Sequence, residues 1–157
     1  MTAVYQIATA EPGMPTETEV NAWVAAALAD DAEEREVVVR VVDAEEGRTL
    51  NRTYRGRDTA TNVLSFPCEV APEFGPVPEL GDLVICASVV TREAREQGKT
   101  LRDHWAHMIV HGTLHLLGYD HGDDDEAAVM EDRERAILAA FGIPDPYAGE
   151  ADPRKQA

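Results

Sequence analysis

The sequence predicts a single α+β or mixed α/β domain, and three observations carry that expectation. Four short runs have the composition of strands, and four or five longer runs have the apolar spacing of helices. The two kinds are interspersed along the chain. At 157 residues with 44% hydrophobic side chains, the chain is long enough to close one core.

Residues 2–8 (TAVYQIA) read as a short strand, and residues 12–15 (PGMP) as a loop. Thr16, with Glu19 three residues later, has the capping-box pattern of a helix start. Val20, Trp23, Val24, Ala27 and Leu28 then recur at helical spacing. Residues 37–43 (VVVRVVD) are dense in β-branched side chains, which suit a pleated surface, and predict a buried strand. Residues 44–56 predict a short helix broken at Gly56, and residues 61–67 (TNVLSFP) a strand stopped by Pro67. A proline-rich loop follows over residues 68–81, then a fourth strand in GDLVICAS (81–88) and a helix in SVVTREAREQGK (88–99) ending near Gly98.

The next helix runs from Leu101 to Leu117, and Gly118 suits its C-terminal cap, because glycine enters the left-handed conformation without penalty. Residues 123–142 predict the last helix, with aspartates crowding the end where the helix dipole favours negative charge. Val129, Met130, Arg133, Ile137 and Phe141 contain an apolar stripe suited to core contact. The expected domain spans residues 1–147, with a flexible tail over 148–157. Strand order does not follow from these patterns.

Acidic side chains outnumber basic ones by 30 to 14, a formal net charge of −16. Such a chain does not coat nucleic acid non-specifically, so a nucleic-acid partner requires a local basic feature. Cys68 and Cys86 lack a CxxC partner and read as ordinary thiols in a reducing compartment. The first residues have no basic segment followed by a long apolar run, and no stretch approaches the ~20 apolar residues of a membrane span. The expected location is the cytoplasm.

The chemistry concentrates in HGTLHLLGYDH, residues 111–121. His111 and His115 lie four apart on the predicted helix and so project from one face. Gly118 lets the chain leave the helix and return, so that His121 approaches the same point. Three neutral imidazoles leave a tetrahedral ion one open position, the pattern of a catalytic rather than a structural zinc site. Zinc is favoured, although imidazole also suits nickel, copper and iron. His104 is too far along the helix to join them, and His107 reads as a residue lining or supporting the cleft. Asp120 either fixes the tautomer of His121 or belongs to the acidic run that follows. In zinc proteases of similar spacing, a glutamate general base follows the first histidine; here that position is Gly112. A phosphodiester needs less help of that kind, because a metal and a cation stabilise its transition state. A cation source exists: RTLNRTYRGR (48–57) holds Arg48, Arg52, Arg55 and Arg57, no acid, and the interleaved Asn51, Thr53 and Tyr54. Guanidinium suits phosphate oxygens, although such a run is also a solvated basic face.

These residues, with YRGRDTATNVLSFP and LGDLVICASVV before the histidines and HWAHMIVHG leading into them, resemble the YbeY family of bacterial rRNA-maturation endoribonucleases. EAAVMEDRE and GIPDPY, after them, belong to the same resemblance. It covers roughly residues 36–147, and the N-terminal third matches only in pattern. It implies a mixed four-stranded sheet flanked by about five helices, distantly like the core of zinc proteases. It implies metal ligation by His111, His115 and His121, with Arg55 as the motif arginine and Ser65 as the motif serine. The implied activity is single-strand-specific, metal-dependent cleavage of RNA in 16S rRNA 3′-end maturation and ribosome quality control. The implied partners are the 16S rRNA precursor, small-subunit ribosomal proteins and an assembly GTPase. The alternatives are a non-enzymatic assembly factor stabilised by zinc, and a metal hydrolase of another substrate class.

Overall fold

The structure is a computed structural model, and it describes residues 3–29, 35–68, 79–120 and 122–148. Among these are four strands and five helices; the first four elements alternate, and two strands followed by three helices complete the order. They are β1 (Ala3–Ala8), α1 (Glu17–Ala27), β2 (Glu36–Val42), α2 (Ala44–Arg55), β3 (Val63–Pro67), β4 (Glu79–Cys86), α3 (Ala87–Glu96), α4 (Leu101–Leu116) and α5 (Asp124–Ala139). The expected α+β class with a mixed sheet is therefore what forms. No helix among the described residues is long and apolar enough to cross a membrane.

Local chemistry explains most boundaries. Thr16 accepts from the Glu19 N–H at 3.1 Å while the Thr16 N–H donates to Glu19 Oε1 at 3.0 Å, closing the predicted capping box on α1. Gly56 ends α2 at φ +72°, and Thr100 caps α4 by accepting from the Asp103 N–H at 3.1 Å. Gly118 has φ +102° just past α4, the positive-φ conformation expected there.

The strand order is β1-β2-β4-β3, with β1, β2 and β4 parallel and β3 antiparallel on one edge. Val37, Val39 and Val41 alternate toward one face of the sheet, where they join Leu83 and Ile85 under α1 and α4. The opposite face is smaller: Val42, Leu64 and Val84 pack with Leu50 of α2 and with Phe66. α4 is buried nearly all round, which fits its apolar composition. In the last helix the buried positions are Met130, Glu134, Ile137 and Leu138, whereas Val129 is 59% exposed. The predicted stripe thus turns by one position, and a glutamate stands within it.

β3 is the edge that borders the functional residues. The Cys86 N–H donates to the Asn62 carbonyl and the Cys68 N–H to the Leu80 carbonyl, each at 3.0 Å. Antiparallel pairing alternates, so Val63, Ser65 and Pro67 turn their backbone groups to the open edge. The Val63 N–H donates to Asn62 Oδ1 at 2.7 Å, the Ser65 carbonyl accepts from Arg55 at 2.8 Å, and Pro67 has no N–H.

Candidate active site

α4 carries a column of four imidazoles. Ring centroids are 6.0 Å apart between His104 and His107, 6.0 Å between His107 and His111, and 4.6 Å between His111 and His115. Helical spacing of three, four and four stacks them on one face. His104 and His107 are buried, while His111 and His115 reach the cleft wall.

Beneath the cleft lies Glu134 of α5, with 0% exposure. Its carboxylate accepts from His111 Nδ1 and from the Tyr147 hydroxyl, and His107 Nε2 is 3.4 Å from it. Burial on its own raises a carboxyl pKa; here hydrogen bonds and charge from His107 and His111 outweigh it and hold Glu134 at about 2. With Nδ1–H of His111 turned to this carboxylate, the ring's lone pair sits on Nε2. His107, His111 and Glu134 offer ligand atoms within 4.8 Å of one another and form a potential metal-binding set. Glu134 escaped the sequence reading. Its signal was present: a glutamate at the spacing of Met130, Ile137 and Leu138 sits in the buried phase of a helix, where a lone charge is too costly without partners.

A second, partly buried chain of hydrogen bonds reaches the same cleft. His104 Nε2 is 2.9 Å from Glu93 Oε1 of α3, and Glu93 accepts from Asn62 Nδ2 at 3.1 and 3.3 Å. Burial pushes the His104 pKa down, against the pull of Glu93. Asn62 is thus held at both ends, by Glu93 and by the Val63 N–H, at the entry to β3.

The cleft has a volume of about 890 Å³ and is walled by the end of α2, the 57–65 segment and α4. Arg55 and Arg57 line it beside His111 and His115. The arginine run is not uniform. Asp58, just beyond it, binds Arg48 at 2.8 Å and lies 3.7 Å from Arg52. That leaves Arg55 and Arg57 as the guanidinium groups of the cleft. Arg55 donates to the Ser65 carbonyl and lies 5.7 Å from the Phe66 ring centroid, so its position is fixed.

Gly112 has a packing reason. A Cβ there meets Leu83 Cδ2 at 2.8 Å and Val63 Cγ2 at 3.2 Å. The glycine lets α4 approach the sheet, and its carbonyl accepts from Ser65 Oγ at 3.3 Å. Any side chain at this position, the glutamate of a zinc protease included, requires Leu83 and Val63 to shift.

Of the residues singled out in the sequence, Arg55, Ser65, His111, His115 and the exposed Asp120 line one cleft, and His107 lies below it. His121 is outside the described residues. The donors present suit a borderline divalent cation: two adjacent imidazoles, one with its tautomer fixed by a carboxylate. Cys68 and Cys86 are free thiols, and neither lines the cleft.

Fold and cleft together define a class, an α+β domain in which an imidazole pair and two guanidinium groups share one open cleft. Comparison with known proteins places it more narrowly. The family profile described as Endoribonuclease YbeY matches residues 7–142, extending the resemblance toward the N-terminus. A Stenotrophomonas maltophilia protein named Endoribonuclease YbeY is 60% identical over 141 residues, spanning 88% of each chain. One of the same name from Xanthomonas axonopodis is 61% identical over 142 residues, again 88% of each. A solution structure of TM1509 from Thermotoga maritima shares the fold, with a TM-score of 0.58 at 22% identity, covering 96% of this chain and 98% of that one. The chain belongs to the YbeY endoribonuclease family.

Proposed function

We propose that this protein is a metal-dependent endoribonuclease specific for single strands, acting in 16S rRNA 3′-end maturation and ribosome quality control. Family membership supports the endoribonuclease activity. The observation that carries the chemistry is that Arg55, Arg57, His111 and His115 line one cleft in a chain of net charge −16. Zinc, or another divalent ion such as nickel, would be held by His111, His115 and, from its place in the motif, His121. When bound, such an ion supplies Lewis-acid polarisation and a lowered pKa for water.

The remaining work falls to the chain itself. Glu134 holds the His111 ring so that Nε2 keeps its lone pair toward the cleft. Arg55 uses one N–H on the Ser65 carbonyl, which leaves the rest of its planar fork for phosphate oxygens. Arg57, which makes no ion pair among the described residues, adds charge at the same wall. Ser65, bonded to the Gly112 carbonyl, ties β3 to the histidine helix and fixes the distance between cation and imidazoles. Asp120 is the one carboxylate lining the cleft among the described residues. The kinship with zinc-protease cores belongs to this proposal and is supported by paired histidines on a helix beside an antiparallel edge strand. Small-subunit ribosomal proteins and an assembly GTPase are the proposed cytoplasmic partners, since an acidic surface needs protein contacts to reach a ribosome.

The test is cleavage of a single-stranded RNA by the purified protein and by His115→Ala and Arg55→Glu. Both variants are expected to stay folded and to lose cleavage. Full-rate cutting by a folded, metal-stripped sample overturns the metal-dependent reading, and unchanged pre-rRNA ends in cells carrying His115→Ala overturn the maturation role. Tight RNA binding without cleavage at any metal loading favours a non-enzymatic assembly factor instead.

A further inference from the structure

We propose that Tyr54 is a base-stacking subsite for an unpaired nucleotide next to the phosphate held by Arg55. This rests on the RNA reading above and adds a place where single-strandedness is sensed. Tyr54 sits in the last turn of α2, directly before Arg55, and is 64% exposed. Among the described residues the other large exposed hydrophobics, Val4, Ile7 and Val129, are aliphatic and carry no stacking face.

Its ring is not loose. Phe66 of β3 meets it edge to face, with centroids 5.3 Å apart and planes at 71°. Phe66 in turn lies beneath the Arg55 guanidinium, at 5.7 Å from its ring centroid. One continuous cluster therefore joins an exposed aromatic ring to the cleft's guanidinium, and through Arg55 to the Ser65 carbonyl of the edge strand. Despite the contact with Phe66 the residue stays 64% exposed, so packing alone does not account for an aromatic side chain here.

The occupant follows from charge and shape. A polyanion is repelled by a chain of net charge −16 except where Arg55 and Arg57 concentrate positive charge, and the exposed ring is joined to Arg55 through Phe66, outside the cleft lining itself. A nucleic-acid strand whose phosphate reaches Arg55 carries its neighbouring base within reach of the adjoining side chain. Stacking on an aromatic ring is tolerant of sequence, because every base has a π-face. It demands, however, that the face be bare. Bases inside a duplex are already stacked, so this subsite favours single strands.

The experiment is fluorescence anisotropy with the full-length, metal-loaded protein and a labelled single-stranded DNA oligonucleotide, which supplies phosphates and bases without the RNA bond to be cut. Its duplex and an abasic strand of equal length are the controls. Tyr54→Ala is expected to weaken single-strand binding by about ten-fold, while Tyr54→Phe stays within about two-fold of wild type. The duplex and the abasic strand should bind wild type and Tyr54→Ala alike. Trp23 and Trp105 are both buried, so Tyr54→Trp adds an exposed reporter whose emission falls with the base-bearing strand and not with the abasic one. Equal binding of the base-bearing strand by wild type and Tyr54→Ala overturns the subsite, and so does an equal loss with the abasic strand. The first result leaves the ring to a protein contact. If Tyr54→Ala binds normally while RNA cleavage still depends on His115, the subsite alone falls; if wild type neither binds a single strand nor cuts RNA, the endoribonuclease reading falls with it.

Discussion

Glu134 on α5 accepts the Nδ1–H of His111 on α4, so a fully buried carboxylate sets the tautomer of a cleft imidazole. Glu134→Gln keeps the volume and removes the charge. The expected result is a 10–100-fold loss of affinity for the divalent ion, of the order seen when such supporting carboxylates are removed. Competition against a chromophoric chelator measures it, and unchanged affinity would detach Glu134 from metal binding.

The same carboxyl predicts an acid dependence. Its folded pKa, about 2, lies below the ordinary value of 4.5. A depressed folded pKa contributes stability that is fully present above about pH 4.5 and is lost as pH falls toward 2. Many other carboxylates titrate there, so the readout is the difference in Tm between wild type and Glu134→Gln. That difference should narrow on acidification and stay constant at higher pH.

Gly112→Ala drives a methyl group toward Leu83, a buried side chain with little freedom to move. A loss of about 1–3 kcal/mol in thermal or urea unfolding is expected. Gly112→Glu should cost more and gain no casein hydrolysis. A stable Gly112→Glu protein would mean that α4 and the sheet can separate.

The two halves of the arginine run should behave differently. Arg55→Ala is expected to slow RNA cleavage by about a hundred-fold or more, as when a donor to developing charge is removed. Arg48→Ala, whose partner Asp58 lies outside the cleft, should stay within about two-fold. Parallel single-turnover assays decide this, and equal losses would restore a continuous basic strip.

Asn62→Ala cuts the link from Glu93 to the entry of β3. Turnover is expected to fall by about ten-fold with metal affinity unchanged, because the strand bearing Ser65 is displaced while the histidines are not. Loss of metal affinity in this variant would show the two hydrogen-bond chains to be one.

Local signals were legible in the sequence because they act locally. The capping box at Thr16 and Glu19, the β-branched run of β2, and the glycines that end α2 and follow α4 all appear where expected. So does the face shared by His111 and His115. What was not legible depends on partners far along the chain. β4 pairs directly with β2 although β3 lies between them in sequence, an order no periodicity encodes. Glu134 meets His111 only because α5 folds onto α4. Asp58 follows the arginine run by one position, yet only the turn after Gly56 brings it onto Arg48. In the sequence Gly112 shows only as the absence of a base, and the close approach of Leu83 explains the residue physically.

The open edge of β3 carries a last consequence. An extended peptide docks on such an edge by adding a strand, and it needs the outward N–H and carbonyl groups to do so. Here Asn62 and Arg55 cover two of them, and Pro67 lacks a third. A polypeptide would have to strip those caps before it could lie beside the histidines. A phosphodiester chain asks nothing of them, so these caps handicap an added peptide strand and leave a nucleic-acid strand unaffected.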